Sequence, residues 1–210
     1  MNNVLLPETT ALVMVDIQND FLHPDGHHGR NGRDLEPLRN IVPQVLRLQS
    51  GVPEAVKKIW VITEREHDGA DDYWRFHRIR PVSVGKDKVV LEGDRLAKGT
   101  WGARIVEDLC VGSADTVVSK RRHDAFYQTD LEYLLRIWDI RTLIFTGVAT
   151  EVCVETTLRE AFVRDFDVVL VDDATAGWSR EAHEATLNVV RDNFGWVMTT
   201  GDVLRACERA

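Results

Sequence analysis

Six short apolar runs rich in β-branched residues recur along the chain, separated by stretches of helical period. They are Ala11–Asp16, Ile59–Thr63, Asp115–Lys120, Thr142–Thr146, Asp167–Asp172 and Gly195–Thr199. Runs this short and this continuously apolar predict strands buried on both faces. Between them, Leu38, Val42, Val45 and Leu46 share one helical face, as do Leu131, Leu134, Leu135 and Trp138. Val154, Leu158, Ala161 and Phe162 form a third stripe, and Ala182, Ala185, Val189 and Val190 a fourth. Thr129-Asp130 supplies a helix cap, and Gly112 is expected to stop a helix that starts near Ala103. Strand–helix alternation of this kind predicts an α/β fold, a six-stranded mostly parallel sheet covered on both faces in three α/β/α layers. The steady period fails only over 66–102, which reads as a long excursion over the sheet ends with a short hairpin near Lys88–Leu91.

The totals set limits on what such a domain does. At 210 residues the chain is read as one domain, 1–210, with ample core. Twenty-six Lys and Arg against 34 Asp and Glu leave a net charge of −8, which gives no support to nucleic-acid binding or to an anionic membrane surface. The basic run Lys120-Arg121-Arg122 is too short to form a patch. No apolar run approaches the ~20 residues that span a bilayer, and MNNVLLPETT has no secretory pattern. Three scattered cysteines, Cys110, Cys153 and Cys207, make neither a disulfide framework nor a CxxC metal site. A cytoplasmic, enzyme-sized domain is expected.

In open α/β sheets, ligands bind beyond the carboxyl ends of the strands. Asp16 ends the first predicted strand, Lys120 ends the third, and Cys153 lies just past the fourth. A thiol, a carboxylate and an ammonium would serve as nucleophile, proton acceptor and charge stabiliser. Taken singly, each has a plain structural explanation: cysteine as small core filler, aspartate as a turn cap, lysine as a solvated strand end. Asp172 and Asp173 are read as caps, and Arg121 and Arg122 as solvated. What favours chemistry is the joint placement on one edge. The turn TGVATEVCVET (146–156) adds a further argument. Gly147 permits backbone geometry that other residues resist, and Thr150 as N-cap would leave Cys153 in the first helical turn. There the free N–H groups would favour a thiolate and could hold an oxyanion.

These segments carry a family resemblance. ALVMVDIQNDF (11–21), GTWGARIVEDL (99–109), SKRRHDAFYQTDLEYLLR (119–136), TGVATEVCVETTLREAF (146–162) and VVLVDDATAG (168–177) resemble the isochorismatase-like cysteine hydrolases. That group includes nicotinamidases, N-carbamoylsarcosine amidases, and ureidoacrylate and biuret amidohydrolases. The resemblance implies a Rossmann-like sheet with an Asp–Lys–Cys triad, here Asp16, Lys120 and Cys153. It also implies a cis Val148–Ala149 peptide and an oxyanion hole formed by the backbone N–H groups of Ala149 and Cys153. In the implied reaction Asp16 takes the thiol proton, returns it to the leaving amine, and later acts as base for the water that hydrolyses the thioester. Lys120 keeps the carboxylate ionised and favours the thiolate. Homodimers or homotetramers are common in the family, and six tryptophans are compatible with such assembly.

Cys153 argues against vinyl-ether cleavage, which relatives perform without a cysteine, and for hydrolysis of a small amide, carbamoyl or ureido compound. A nicotinamidase-type metal site would need Thr-x-Asp-x-His, where this chain has Thr63-Glu-Arg-Glu-His67. Arg65 cannot ligate a cation. No metal and no cofactor is therefore expected, although Glu64 and Glu66 flank that position. HPDGHHG (23–29) reads as a lid loop. Candidate substrate contacts are Phe21, His67, Trp101, Phe126, Tyr127, Gln128 and Thr150, with Arg65, Arg75, Arg78 and Arg80 as possible partners for a carboxylate. For Phe126 a core position is the competing explanation. The segment from Gly51 to Lys58 is longer than the family's usual connection into the second strand. The remaining alternatives are a nicotinamidase-type hydrolase, a vinyl-ether hydrolase and a non-catalytic relative.

Overall fold

The computed structural model describes residues 5–66 and 95–209. All six strands form and pair in parallel: β1 (Thr10–Val15), β2 (Lys57–Thr63), β3 (Thr116–Lys120), β4 (Thr142–Val148), β5 (Asp167–Ala176) and β6 (Trp196–Met198). Their order across the sheet is β3-β2-β1-β4-β5-β6. The burial pattern follows from that order. Central β1 and β4 are enclosed along their whole length, whereas edge strands β3 and β6 are partly open.

Alternation along β1 divides the core into two layers. Leu12 and Met14 point to one face, where Trp60, Leu38, Val45, Leu48 and Val203 pack. That face is covered by the short helix α3 (Glu36–Arg39), by α4 (Val42–Gly51) and by the last helix, Thr200–Glu208. Ala11, Val13 and Val15 point to the other face and meet Leu131, Leu135, Leu158, Ala161, Leu187 and Val190. These come from α5 (Leu131–Ile137), α6 (Glu155–Phe162) and α7 (Arg180–Asn193), so the last helix is α8. Two single-turn helices, α1 (Asn19–Leu22) and α2 (His27–Arg30), follow β1.

Local differences from expectation have identifiable causes. The Leu38–Leu46 stripe is two helices broken at Asn40–Ile41, with Pro43 near the start of α4, and Leu46 faces solvent. No helix runs from Ala103 to Gly112. The Val106 N–H donates to the Ile17 carbonyl, the Asn19 N–H donates to the Arg104 carbonyl, and Gln18 bridges Ile105, so long-range pairing overrides the local pattern. HPDGHHG is not a loose loop: His27 and His28 are buried, with His28 packed against Phe21 and Trp178. Asp130 caps α5 without a side-chain bond, and it is Thr129 Oγ1 that accepts from the Leu131 N–H. Asp173 acts as a cap, accepting from both the N–H and the hydroxyl of Thr200. Within the long excursion, His67, Arg75, Arg78, Arg80 and the Lys88–Leu91 hairpin lie outside the described residues.

Candidate active site

The strand order itself selects the place for chemistry. β1 is followed by β2 on one side and by β4 on the other, so the crossovers leave in opposite directions between β1 and β4. That is the switch point at which open α/β sheets bind ligands. Asp16 follows β1 and the nucleophile turn follows β4. Thr63 and Lys120 are register partners at the ends of β2 and β3. Lys120, Thr63, Asp16 and Cys153 therefore stand along one edge in strand order.

Their side chains form one closed network. Lys120 Nζ donates to Asp16 Oδ2 at 2.8 Å and to Thr63 Oγ1 at 2.7 Å, while the Thr63 hydroxyl donates to Asp16 Oδ1 at 2.9 Å. Asp16 is fully buried, Lys120 is 1% exposed and Cys153 is 6% exposed. Asp16 also has φ +54°, uncommon for a residue with a side chain. The charges of both Asp16 and Lys120 act on the Cys153 thiol.

The electrostatics differ from the thiolate expected of an ordinary helix start. Burial, and then the Asp16 charge, push the Cys153 thiol up to about 12, against the opposing pull of Lys120. Burial likewise works against the Lys120 ammonium, but Asp16 and the sulfur more than offset it, and its pKa stands above the ordinary lysine value. The resting site is therefore a neutral thiol beside a carboxylate–ammonium pair. Removing either charge from such an enclosed pair costs about 3–5 kcal/mol, because the other is left uncompensated.

The nucleophile turn is built by backbone constraints. Gly147 has φ +108°, and a Cβ there would stand 2.0 Å from the Val15 carbonyl oxygen. The Val148–Ala149 peptide is cis. Thr150–Val154 then winds as a π-helical turn, with the Ala149 carbonyl accepting from the N–H groups of Val152 and Val154. Such turns concentrate at functional sites. Ala149, not Thr150, is the N-cap, because the Thr150 hydroxyl is held 2.9 Å from His183 Nδ1, whose Nε2 lies 3.2 Å from Asp172 Oδ1. The Ala149 N–H donates to no carbonyl among the described residues.

The other candidates scatter. Phe21 packs on His28 and the Arg95 guanidinium. Trp101 meets His23 edge-on and borders a cavity of about 450 Å³ lined by Leu22, Arg39 and Val106, but by none of Asp16, Lys120 and Cys153. Phe126 is buried between Arg164 and Phe166, in the same core layer as Cys153. Tyr127 and Gln128 are exposed, the latter at φ +56°. Arg65 is tied by its backbone to Leu96 and Lys98, and Glu66 pairs with Arg121. Among the described residues no group of three or more His, Cys, Asp or Glu is arranged to hold a metal ion.

Sequence reasoning missed three groups. Thr63 was open to the same strand-end argument applied to β2. His123 stands three residues past Lys120, inside the 119–136 segment but with no role assigned to it there, yet its Nδ1 lies 3.4 Å from Cys153 Sγ. Gln18 was also missed: it ties β2 to the returning chain through Thr63 and Ala103.

Comparison with known proteins identifies the family. The isochorismatase domain model matches residues 10–202. Ureidoacrylate amidohydrolase RutB of Enterobacter sp. (strain 638) is 33% identical over 207 residues, covering 93% of this chain and 88% of that one. Its namesake in Acinetobacter baylyi is 34% identical over 204 residues, covering 93% and 82%. A cysteine hydrolase from Pseudomonas syringae pv. phaseolicola superposes with a TM-score of 0.82 at 27% identity, over 98% of this chain and 95% of that one. On its sequence, its sheet and the residues gathered at its switch point, the chain belongs to the isochorismatase family.

Proposed function

We propose that this protein is a cysteine-dependent amidohydrolase that cleaves a C–N bond of a small ureido, carbamoyl or amide compound through a thioester. The observation that carries the reading is the enclosed Asp16–Lys120 pair at 2.8 Å, whose two charges act on the buried Cys153 thiol. The thiol is neutral at rest, so attack and deprotonation are coupled: Asp16 takes the Sγ proton as the C–S bond forms. Lys120 keeps Asp16 ionised until then and offsets the negative charge gathering at the sulfur. The Ala149 and Cys153 N–H groups receive the oxyanion. Asp16 then returns the proton to the departing nitrogen, the C–N bond breaks, and water hydrolyses the thioester.

The ureidoacrylate amidohydrolases at 33% and 34% identity support a ureido substrate. An ammonia-release screen over ureidoacrylate, N-carbamoyl amino acids, biuret and nicotinamide tests the choice, with turnover of nicotinamide alone counting against it. Cys153→Ala is expected to abolish ammonia release while preserving the fold; retained turnover would remove the thiol from the mechanism. We place the enzyme in the cytoplasm, a reading supported by three unpaired cysteines. No helix among the described residues is long and apolar enough to cross a membrane. Homodimeric or homotetrameric assembly is part of the same proposal. It is supported by exposed Tyr133, Ile137, Phe162 and Val163 on neighbouring helices and is checked by light scattering.

A further inference from the structure

Thr150 stands where its hydroxyl would interfere with the oxyanion site. A threonine that enters a helical turn commonly accepts from the N–H two or three residues on, here that of Val152 or Cys153. The Cys153 N–H is one of the two donors assigned to the oxyanion, and a cap of that kind would occupy it. Among the described residues no such cap forms. The Thr150 side chain is fully buried, and its Oγ1 lies 2.9 Å from His183 Nδ1.

His183 is oriented for this contact from its other side. Its Nε2 lies 3.2 Å from Asp172 Oδ1, and an ionised carboxylate only accepts, so the ring proton sits on Nε2. Nδ1 then carries the lone pair, and the Thr150 hydroxyl donates to it. The ring is largely enclosed, with 14% of the side chain exposed. Asp172 sits in an irregularity of β5. Between the pairs Phe145–Leu170 and Gly147–Thr175, β4 has one residue and β5 has four, so Asp172 leaves the ladder with β4. Extra residues of this kind re-aim side chains beside functional sites.

Two further bonds tie the turn to α7 and to the chain leading into it. Thr186, three residues past His183 and on the same face of α7, donates to Glu155 Oε2 at 2.6 Å. Ahead of the helix, the Trp178 N–H donates to Glu151 Oε1 at 2.8 Å. These bonds hold the turn on both sides of Cys153 without His183. The contact that depends on the imidazole is the one to the Thr150 hydroxyl.

We infer that His183 is a positioning residue of the acylation step: oriented by Asp172, it draws the Thr150 hydroxyl toward α7 and so reserves the Cys153 N–H for the oxyanion. The inference rests on the thioester mechanism proposed above. It makes Thr150 a group held away from the oxyanion donors, not a contact for the substrate.

The test uses the full-length protein in a Cys110→Ser background, which removes an exposed thiol. Acylation by p-nitrophenyl acetate passes through an oxyanion and is read as the p-nitrophenol burst, with peptide mapping to locate the acetyl group. Alkylation by iodoacetamide modifies the same sulfur without an oxyanion. His183→Gln sets its amide near the position of Nε2 and leaves no acceptor at Nδ1. It is expected to slow the burst by roughly 10- to 100-fold, because outright loss of one oxyanion donor costs about 100-fold or more. Its alkylation rate and circular dichroism are expected to stay close to wild type. His183→Asn keeps an acceptor near Nδ1 and is expected to recover most of the burst rate. Thr150→Val added to His183→Gln is expected to do the same by removing the hydroxyl. An unchanged burst in His183→Gln overturns the inference, and so does equal slowing of burst and alkylation. A double variant no faster than His183→Gln overturns it too. If wild type gains no acetyl group on Cys153, the thioester reading itself falls, an outcome distinct from acylation at equal rates in wild type and variant.

Discussion

Thr63 joins both members of the buried ion pair, its one hydroxyl donating to Asp16 and accepting from Lys120. Thr63→Val removes that oxygen at nearly constant volume and leaves Lys120 and Asp16 each one partner short. The expected cost is about 1–3 kcal/mol of stability, read by urea titration, together with a fall in kcat/KM; an unchanged kcat/KM would show that the network is dispensable. Thiol reactivity is also determined at this scale. Because burial and Asp16 hold Cys153 at about 12, iodoacetamide at neutral pH is expected to label exposed Cys110 before Cys153 when no substrate is bound. Peptide mapping decides the order, and preferential labelling of Cys153 would mean that Lys120 dominates its environment. Three of the site residues were legible because strand ends can be located from hydropathy. His123 was not, since it meets the sulfur only through tertiary contact between segments 30 residues apart.

Among the elements, the turn after β4 is the one with least room. Gly147→Ala would combine a positive φ with a Cβ driven into the Val15 carbonyl of the neighbouring strand. A loss of about 2–4 kcal/mol is expected, measured by thermal unfolding, with kcat reduced because the same strands carry Asp16 and Cys153. Wild-type stability would show that β1 and β4 can separate locally. The six strands were readable because central β1 and β4 are buried on both faces, which leaves a continuous apolar run. Residues 103–112 misled for a complementary reason: backbone bonds to Ile17 and Asn19 tie Val106 and Arg104 to the chain leaving β1, between two turns, so no helix winds there. Local pattern predicts an element only where no neighbouring strand end competes for its backbone.

For the molecule as a whole, the raised thiol pKa sets an alkaline limit. The Cys153 thiol ionises near 9.0 when unfolded and near 12 when folded. Between those values the unfolded chain binds fewer protons, so stability present below pH 9 is lost as pH rises, by up to roughly 1.4 kcal/mol per pH unit for one group. The raised Lys120 pKa acts in the same direction above 10.5. Urea midpoints of wild type are therefore expected to fall faster than those of Cys153→Ala from pH 9 upward; parallel curves would mean that the thiol has its ordinary pKa when folded.

The backbone of Arg65 has a different implication. Its N–H donates to Leu96 and its carbonyl accepts from Lys98, so the chain departing at Glu66 and the chain returning at Arg95 are pinned side by side. Asp20 strengthens the pin by accepting from the Leu96 and His27 N–H groups. Closing a loop whose ends already meet depends only weakly on its length, about 0.6 kcal/mol per doubling. A change in the number of residues between Glu66 and Arg95 therefore costs little closure entropy. The anchor at Arg65 lies wholly in backbone groups, which side-chain changes other than to proline leave in place, so the point where the chain leaves and rejoins the sheet is fixed independently of side-chain identity there.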